Sequence, residues 1–338
     1  MSIRNIDIER TFCLSGMLNF TRYVFRKKTG NKFIIGDHHR IICDALDKVV
    51  KGDIKRLIIN IAPRYGKTEL AVKNFIVYGL ALNPKSKFIH LSYSDDLVLD
   101  SSKEINTIVR SDYFQRLFPE SVTDSTNAKK WYTNAGGGLY AVSSAGQVTG
   151  FGAGQIDDPN DKEEKEIDDF MPAWDTKFSG AIIIDDPIKP EDALSDTIRE
   201  RVNNRFETTI RNRVNSRNTP IIIIMQRLHE HDLCGYLQEI EPEDWTVISL
   251  PCIQHDENGN EKALWEFKHT LEELHKIESA NSFVFDTQYM QNPTPIEGLM
   301  YREFQTYDTI PYYRDSEKKN YTDTAVSYTH LTLPTNSR

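Results

Sequence analysis

The sequence predicts an α/β protein: a mostly parallel sheet flanked by helices, entered through a helical N-terminal segment. Three observations carry this. Short β-branched apolar runs recur through the middle of the chain, helix-like stretches separate several of them, and residues 9–52 instead space their apolar residues by three and four. A continuous apolar run suits a strand buried on both faces, and strands that alternate with helices imply parallel pairing.

In chain order, apolar residues at mixed helical spacing run from Phe12 through Phe25. A second such segment runs from His38 to Val50 and stops at Gly52. The predicted strands are LIINIA (57–62), KFIHLSY (87–93), LYAVSS (139–144), AIIID (181–185), PIIIIMQ (220–226) and WTVISL (245–250). Helices are expected over 67–82, 95–118 and 191–216. Two segments break the rhythm. Residues 136–154 hold seven of the 17 glycines, and DDPNDKEEKEIDD (157–169) holds eight acids against two lysines, which reads as an exposed acidic insertion.

Composition excludes several classes. No stretch of the 338 residues approaches a membrane span, and MSIRNIDIER is polar where a signal peptide needs an apolar run. The cysteines at 13, 43, 234 and 252 form no CxxC pair, so neither a zinc site nor a disulfide framework is indicated, and the expected compartment is reducing. The net charge of −9 argues against a broadly basic nucleic-acid binder. Of that charge the acidic insertion contributes 2 − 8 = −6, leaving about −3 elsewhere. Transient, local DNA contacts remain compatible with that balance, because tight phosphate contacts would oppose sliding.

The sharpest motif is INIAPRYGKTE (59–69), a strand that runs through a turn into a helix. This is the layout of a phosphate-binding loop. Gly66 lets backbone amides approach phosphate oxygens, Lys67 supplies a point charge, and Thr68 presents a hydroxyl for Mg²⁺. The helix N-terminus adds its positive end. The first glycine of the common GxxxxGK[ST] pattern is replaced by Ile61. The second motif, AIIIDDP (181–187), is an apolar strand ending in two carboxylates. Asp185 fits a metal-holding role and Asp186 a water-activating one, the two carboxylate tasks of nucleotide hydrolysis. A plain strand followed by an acidic turn is the alternative for this stretch taken alone.

In PIIIIMQRLHEHDL (220–233), polar groups follow a buried strand at the edge where α/β folds bind ligands. Gln226 is placed to touch a γ-phosphate or its attacking water. His229 and His231 have no evident third ligand, so a metal site is not expected there. RERVNNRFETTIRNR (199–213) carries five arginines and reads either as a solvated helix laced with ion pairs or as a DNA-facing or subunit-facing surface.

Taken in order, PRYGKTE, GGGLYAVSSAGQVTGFGAG, AIIIDDPIKPEDALS, IIIIMQRLHEHDL and FDTQYMQNPTPIEG (285–298) resemble the large subunit of a tailed-phage terminase, the ATPase–nuclease that packages DNA. The resemblance covers roughly residues 38 to 325. It implies a P-loop NTPase fold of the ASCE, RecA-like kind over 53–298, with ATP and Mg²⁺ as nucleotide and cofactor. In that family PRxGKT is an accepted form of the loop, so Ile61 is no departure. The resemblance implies nucleotide contacts from Pro63, Arg64, Tyr65, Gly66, Lys67, Thr68 and Glu69. Catalytic roles fall to Lys67, Arg64, Asp186 and Gln226, and Mg²⁺ to Thr68 and Asp185. Asp186 stands where many relatives have Glu. Gln226 lies in the motif thought to couple hydrolysis to movement, and the glycine-rich segment is expected to shape a strand and its turns. The implied partners are double-stranded DNA, a portal protein and a small terminase subunit, in a homo-oligomeric ring on a procapsid in the host cytoplasm, with no membrane.

The family continues into an RNase H-like nuclease domain that uses Mg²⁺ or Mn²⁺. Here 299–326 reads as a linker and the start of that domain. Asp323 in NYTDTA (320–325) matches its first metal-binding aspartate, and SYTHLTLPTNSR (327–338) does not continue the pattern and reads as an extraneous tail. The expectation is an ATPase that does not cut DNA. The alternatives are another P-loop ATPase acting on nucleic acid, helicase-like, a small-molecule kinase, or a nucleotide-binding protein without turnover.

Overall fold

The structure, a computed structural model, describes residues 3–144, 146, 150–156 and 178–294. The acidic insertion, Asp323, the 299–326 segment and the 327–338 tail lie outside them. The described residues belong to one compact unit, Met1–Ile296.

Three helices open the chain: α1 (Ile3–Leu14), α2 (Met17–Thr29) and α3 (Asp37–Lys51), the last ending at Gly52 as expected. The Phe12–Phe25 segment is two helices rather than one, because Gly16 adopts φ 152°, which breaks the helical ladder, while its carbonyl accepts from the Phe20 N–H. Cys13, Met17, Phe20, Val24, Ile42 and Leu46 are buried in the same core as the sheet. The N-terminal helices are therefore part of the main body in packing terms.

The sheet has seven strands: β1 (Arg56–Ile61), β2 (Lys87–Ser92), β3 (Lys130–Tyr132), β4 (Gly138–Ser143), β5 (Ile182–Asp185), β6 (Ile221–Met225) and β7 (Thr246–Leu250). Their order is β3-β4-β2-β5-β6-β1-β7. Every neighbouring pair is parallel except β3–β4. The mostly parallel α/β sheet expected from the sequence is thus present, with β6 inserted between the loop-bearing β1 and the carboxylate-bearing β5.

Alternation of side chains sorts each strand between two cores. Leu57, Ile59 and Ile61 face the first core with the N-terminal helices; Ile58 faces the second. The first core also takes α4 (Phe75–Leu82), entered through a π-helical turn over Glu69–Asn74, and α5 (Asp95–Val109). The second takes α7 (Asp196–Arg205) and α8 (Leu233–Ile240). Between α5 and β3 runs α6 (Asp112–Leu117), so the helix expected over 95–118 is interrupted at Arg110–Ser111.

One strand departs from the fully buried pattern. WTVISL forms β7 at the sheet's edge, where Thr246, Val247 and Ser249 are exposed. Apolar composition marks a strand without saying whether both of its faces are covered. Within the glycine-rich segment, Gly138 opens β4. A Cβ there would lie 2.2 Å from the Trp131 carbonyl oxygen, so only glycine lets the antiparallel edge strand β3 pair so closely. Beyond β7, a hairpin of β8 (Ile253–His255) and β9 (Glu261–Ala263) leads to α9 (Leu271–Ala280).

Candidate nucleotide-binding site

Parallel strands bring their carboxyl ends to one edge, where open α/β sheets bind ligands. Here β1 delivers the 62–68 turn, β5 delivers Asp185 and Asp186, and β6 delivers Gln226. Gly66 at φ 82° and Arg64 at φ 66° make the turn, and Leu70 N–H donates to the Gly66 carbonyl at 3.0 Å as the helix begins.

Two contacts close the site. Lys67 Nζ donates to Asp186 Oδ1 at 2.5 Å, and Thr68 Oγ1 donates to Asp185 Oδ2 at 2.7 Å. Residues separated by 119 and 117 positions in sequence are joined by the sheet order. The Asp186 backbone is held by three bonds: its N–H donates to the Ile224 carbonyl at 2.9 Å, and its carbonyl accepts from Tyr93 N–H at 2.9 Å and Ser92 Oγ at 3.5 Å. It adopts φ 45°, a conformation uncommon outside glycine, which turns the chain just as the strand ends.

Asp185 is buried, and its Oδ1 has no hydrogen-bond partner. Burial first, then the charge of Asp186, push its pKa far above the ordinary carboxylate range, while Lys67 and Thr68 pull it down. A buried carboxylate oxygen without a partner, beside a threonine hydroxyl and a second carboxylate, is a set of hard oxygen donors. The set fits a divalent cation such as Mg²⁺, which would offset the cost of holding a buried acid beside a second, half-buried one. Gln226 is also buried with its Oε1 unpartnered. Among the described residues these two acceptors, at the ends of neighbouring strands, lack the partners that buried polar groups nearly always have.

The remaining expected contacts sort by side chain. Arg64 is exposed and Pro63 half-buried. Tyr65 corrects the expectation for its side chain: it is wholly buried, with its hydroxyl 2.9 Å from His269 Nδ1 and its ring against His38 and Trp265. An aromatic residue at this point has more to gain from the core than from the loop, so only its backbone belongs to the cradle. Glu69 lies in an ion-pair network, 3.7 Å from Lys28 and 3.6 Å from Lys73, and both lysines also pair with Glu104. Its carboxylate thus ties α2 and α5 to the start of the loop helix.

The arginine-rich stretch is mostly turned inward. Arg199 is buried and donates to the Ala193 carbonyl and to Asp196; Arg205 donates to the Gly146 carbonyl; Arg211 pairs with Glu207 and Glu241. Of the five arginines in this stretch, only Arg201 is exposed. Nearby acceptors take up the Arg199, Arg205 and Arg211 guanidinium groups, closer to the helix laced with ion pairs than to the alternative of an open basic surface.

Sequence reasoning missed two groups. His39 is buried under the loop, its Nε2 3.1 Å from where a Gly66 Cβ would stand, and its Nδ1 accepts from Gly36 N–H at 2.8 Å. Gln291 accepts from the backbone of the residue after Gln226. The latter lies inside FDTQYMQNPTPIEG, so its motif was visible although its contact was not.

The fold and the loop–carboxylate geometry together define an α/β protein whose turn after β1 meets two carboxylates from β5 at the carboxyl edge of the sheet. No protein-family model and no curated protein matches the chain. Among solved structures it is similar to the crystal structure of the HK97 bacteriophage large terminase, at 13% sequence identity and a TM-score of 0.41, over 80% of this chain and 47% of that one. The chain therefore spans about half the length of that protein. Among the described residues, no helix is long and apolar enough to cross a membrane.

Proposed function

We propose that this chain is the ATP-hydrolysing motor subunit of a viral DNA-packaging terminase, acting in the host cytoplasm. The observation that carries the ATPase reading is the double contact of Lys67 with Asp186 and Thr68 with Asp185. An ordinary strand-to-helix turn has no reason to meet two carboxylates from a strand two positions away in the sheet. The packaging assignment rests on the five motifs in order.

In this reading Lys67 exchanges Asp186 for β/γ-phosphate oxygens when ATP enters, and the backbone amides of 64–68 take the remaining oxygens. Thr68 and Asp185 would hold Mg²⁺, which would supply positive charge to the phosphate oxygens. Loss of the Lys67 partner leaves the Asp186 carboxylate free to orient a water and accept its proton. Arg64, exposed at the turn, is placed to meet charge that builds during transfer. Gln226 offers its unpartnered amide oxygen to that water. Double-stranded DNA, a portal, a small subunit and a ring of copies are the partners that the motifs imply.

Purified chain should hydrolyse ATP with Mg²⁺, and Lys67→Ala should abolish turnover. Nucleotide binding by the wild-type chain with no turnover, in the presence or absence of double-stranded DNA, would remove the motor reading and leave a binding protein.

A further inference from the structure

Two of the sequence motifs meet in space, and the contact assigns a role to a residue outside the cradle. Gln291 is 5% exposed, sits at φ 57°, and accepts through Oε1 from the Arg227 N–H at 3.0 Å. Its Nε2 donates to the Gln288 carbonyl, which fixes the amide's orientation. Arg227 directly follows Gln226, whose buried Oε1 has no partner. The left-handed backbone is what aims the Gln291 amide back at β6. An uncommon conformation in a buried non-glycine residue persists where surrounding contacts over-determine it.

The rest of the turn after β6 is already fixed from the other side. Arg227 Nε lies 3.0 Å from both Asp232 oxygens, and Asp232 also accepts from the N–H groups of Leu228, His229 and Gly235. Those bonds hold residues 227–235 to one another. None of them holds the turn to the body of the protein at the point where Gln226 leaves the strand. The Gln291 bond does, and Gln291 is itself anchored next to Tyr289, whose carbonyl accepts from Cys252 N–H at 2.8 Å.

We propose that Gln291 is a positioning residue for Gln226: it pins the adjacent peptide so that the Gln226 amide stays at the nucleotide edge. This deepens the hydrolysis reading and rests on it. A second consequence follows from the location. The segment that pins Gln226 is 285–292, so a shift of Gln226 on hydrolysis would be felt there first.

The test is a double-mutant cycle on the full chain. Gln291→Met keeps the length and removes the acceptor. Gln291→Met should lower kcat by about 10- to 100-fold with KM for ATP little changed, as expected for a misplaced group near the chemistry. In a Gln226→Ala background, Gln291→Met should have no further effect on kcat, because the group it positions is gone. Full additivity of the two substitutions would overturn the proposal. A separate arm does not need turnover: amide hydrogen exchange at Arg227 should rise in Gln291→Met while Leu228, His229 and Gly235, held by Asp232, stay protected. If the wild-type chain proves inactive, the hydrolysis reading fails, and unchanged exchange at Arg227 would separately sink the role of Gln291.

Discussion

The turn after β1 and the turn after β6 leave the same edge of the sheet and are built in opposite ways. In the first, the side chains of Lys67 and Thr68 are held, among the described residues, only by carboxylates from a distant strand, and Asp185 Oδ1 is buried with no partner among them. In the second, a single buried carboxylate, Asp232, accepts from Arg227 and from three backbone N–H groups and caps α8. Buried polar groups are nearly always satisfied by the protein itself, so the exceptions carry information. In the proposed reading the unsatisfied turn is the one that would rearrange around a ligand, and the satisfied turn is the reference against which that rearrangement would be measured.

The largest way to break this contrast is at the cradle. Asp186→Asn should lower ATP turnover by about 10²- to 10⁴-fold, the range for removing a general base, while leaving thermal stability close to wild type. Steady-state phosphate release and a melting curve on the same preparation check both halves. A large loss of stability with modest loss of rate would mean that Asp186 holds the fold rather than the chemistry.

At the knot the signs reverse. Asp232→Ala leaves the Arg227 guanidinium half-enclosed with its carboxylate gone, and three N–H groups lose their acceptor. Breaking a buried pair from one side costs about 3–5 kcal/mol, and urea unfolding should show it directly. A change below about 1 kcal/mol, the scale of an exposed ion pair, would mean that the turn is held by packing alone.

These two regions also show what was legible in the sequence. LIINIA, AIIID and PIIIIMQ were readable because a strand covered on both faces must be apolar throughout. WTVISL looked the same and became an edge strand, since coverage depends on what packs later in the chain. β3 has only three residues, too few for a pattern. That Lys67 and Thr68 would share an edge with Asp185 and Asp186 was legible because the turn is local in sequence and the carboxylates end an apolar strand. Tyr65 and Gln291 were not. Whether an aromatic side chain in a loop turns to the ligand or to the core depends on neighbours such as His269, more than 200 positions away. The Gln291 contact spans 64 positions and depends on a left-handed φ that no residue type announces.

A smaller effect distinguishes the turns by ligand linkage. Mg²⁺ with a non-hydrolysable ATP analogue should stabilise the wild-type chain by about 2.7 kcal/mol at 100 times its Kd. Lys67→Ala should lose most of that gain at the same concentration. Hydrogen exchange should slow around 64–68 and 185–186 and change little over 228–235. Equal protection of both turns would erase the distinction between them.

The smallest effect is a pH dependence, and it too falls on the cradle's side. Burial lowers the pKa of His38 to about 4 and of His39 to about 3. Both rings lie beneath the loop, His38 against Tyr65 and His39 against Gly66. His90, inside β2, is lowered to about 3 by burial and then by Lys73. Between an unfolded value near 6.5 and these folded values, the unfolded chain binds protons that the native chain does not. Stability is therefore full above about pH 6.5 and declines as the pH falls toward 4, by up to about 1.4 kcal/mol per pH unit for each histidine. Asp185 works in the opposite sense, because its raised folded pKa lets the native state take a proton first. It offsets part of the slope but cannot cancel three histidines. Comparing the unfolding free energy of the wild-type chain with that of His39→Phe at pH 6.5, 5.5 and 4.5 isolates one ring, since Asp185 is common to both. The two slopes should differ by about 1.4 kcal/mol per pH unit below pH 6. Parallel slopes would mean that His39 is already charged in the native state, and the cradle would then rest on a cation instead of a neutral ring.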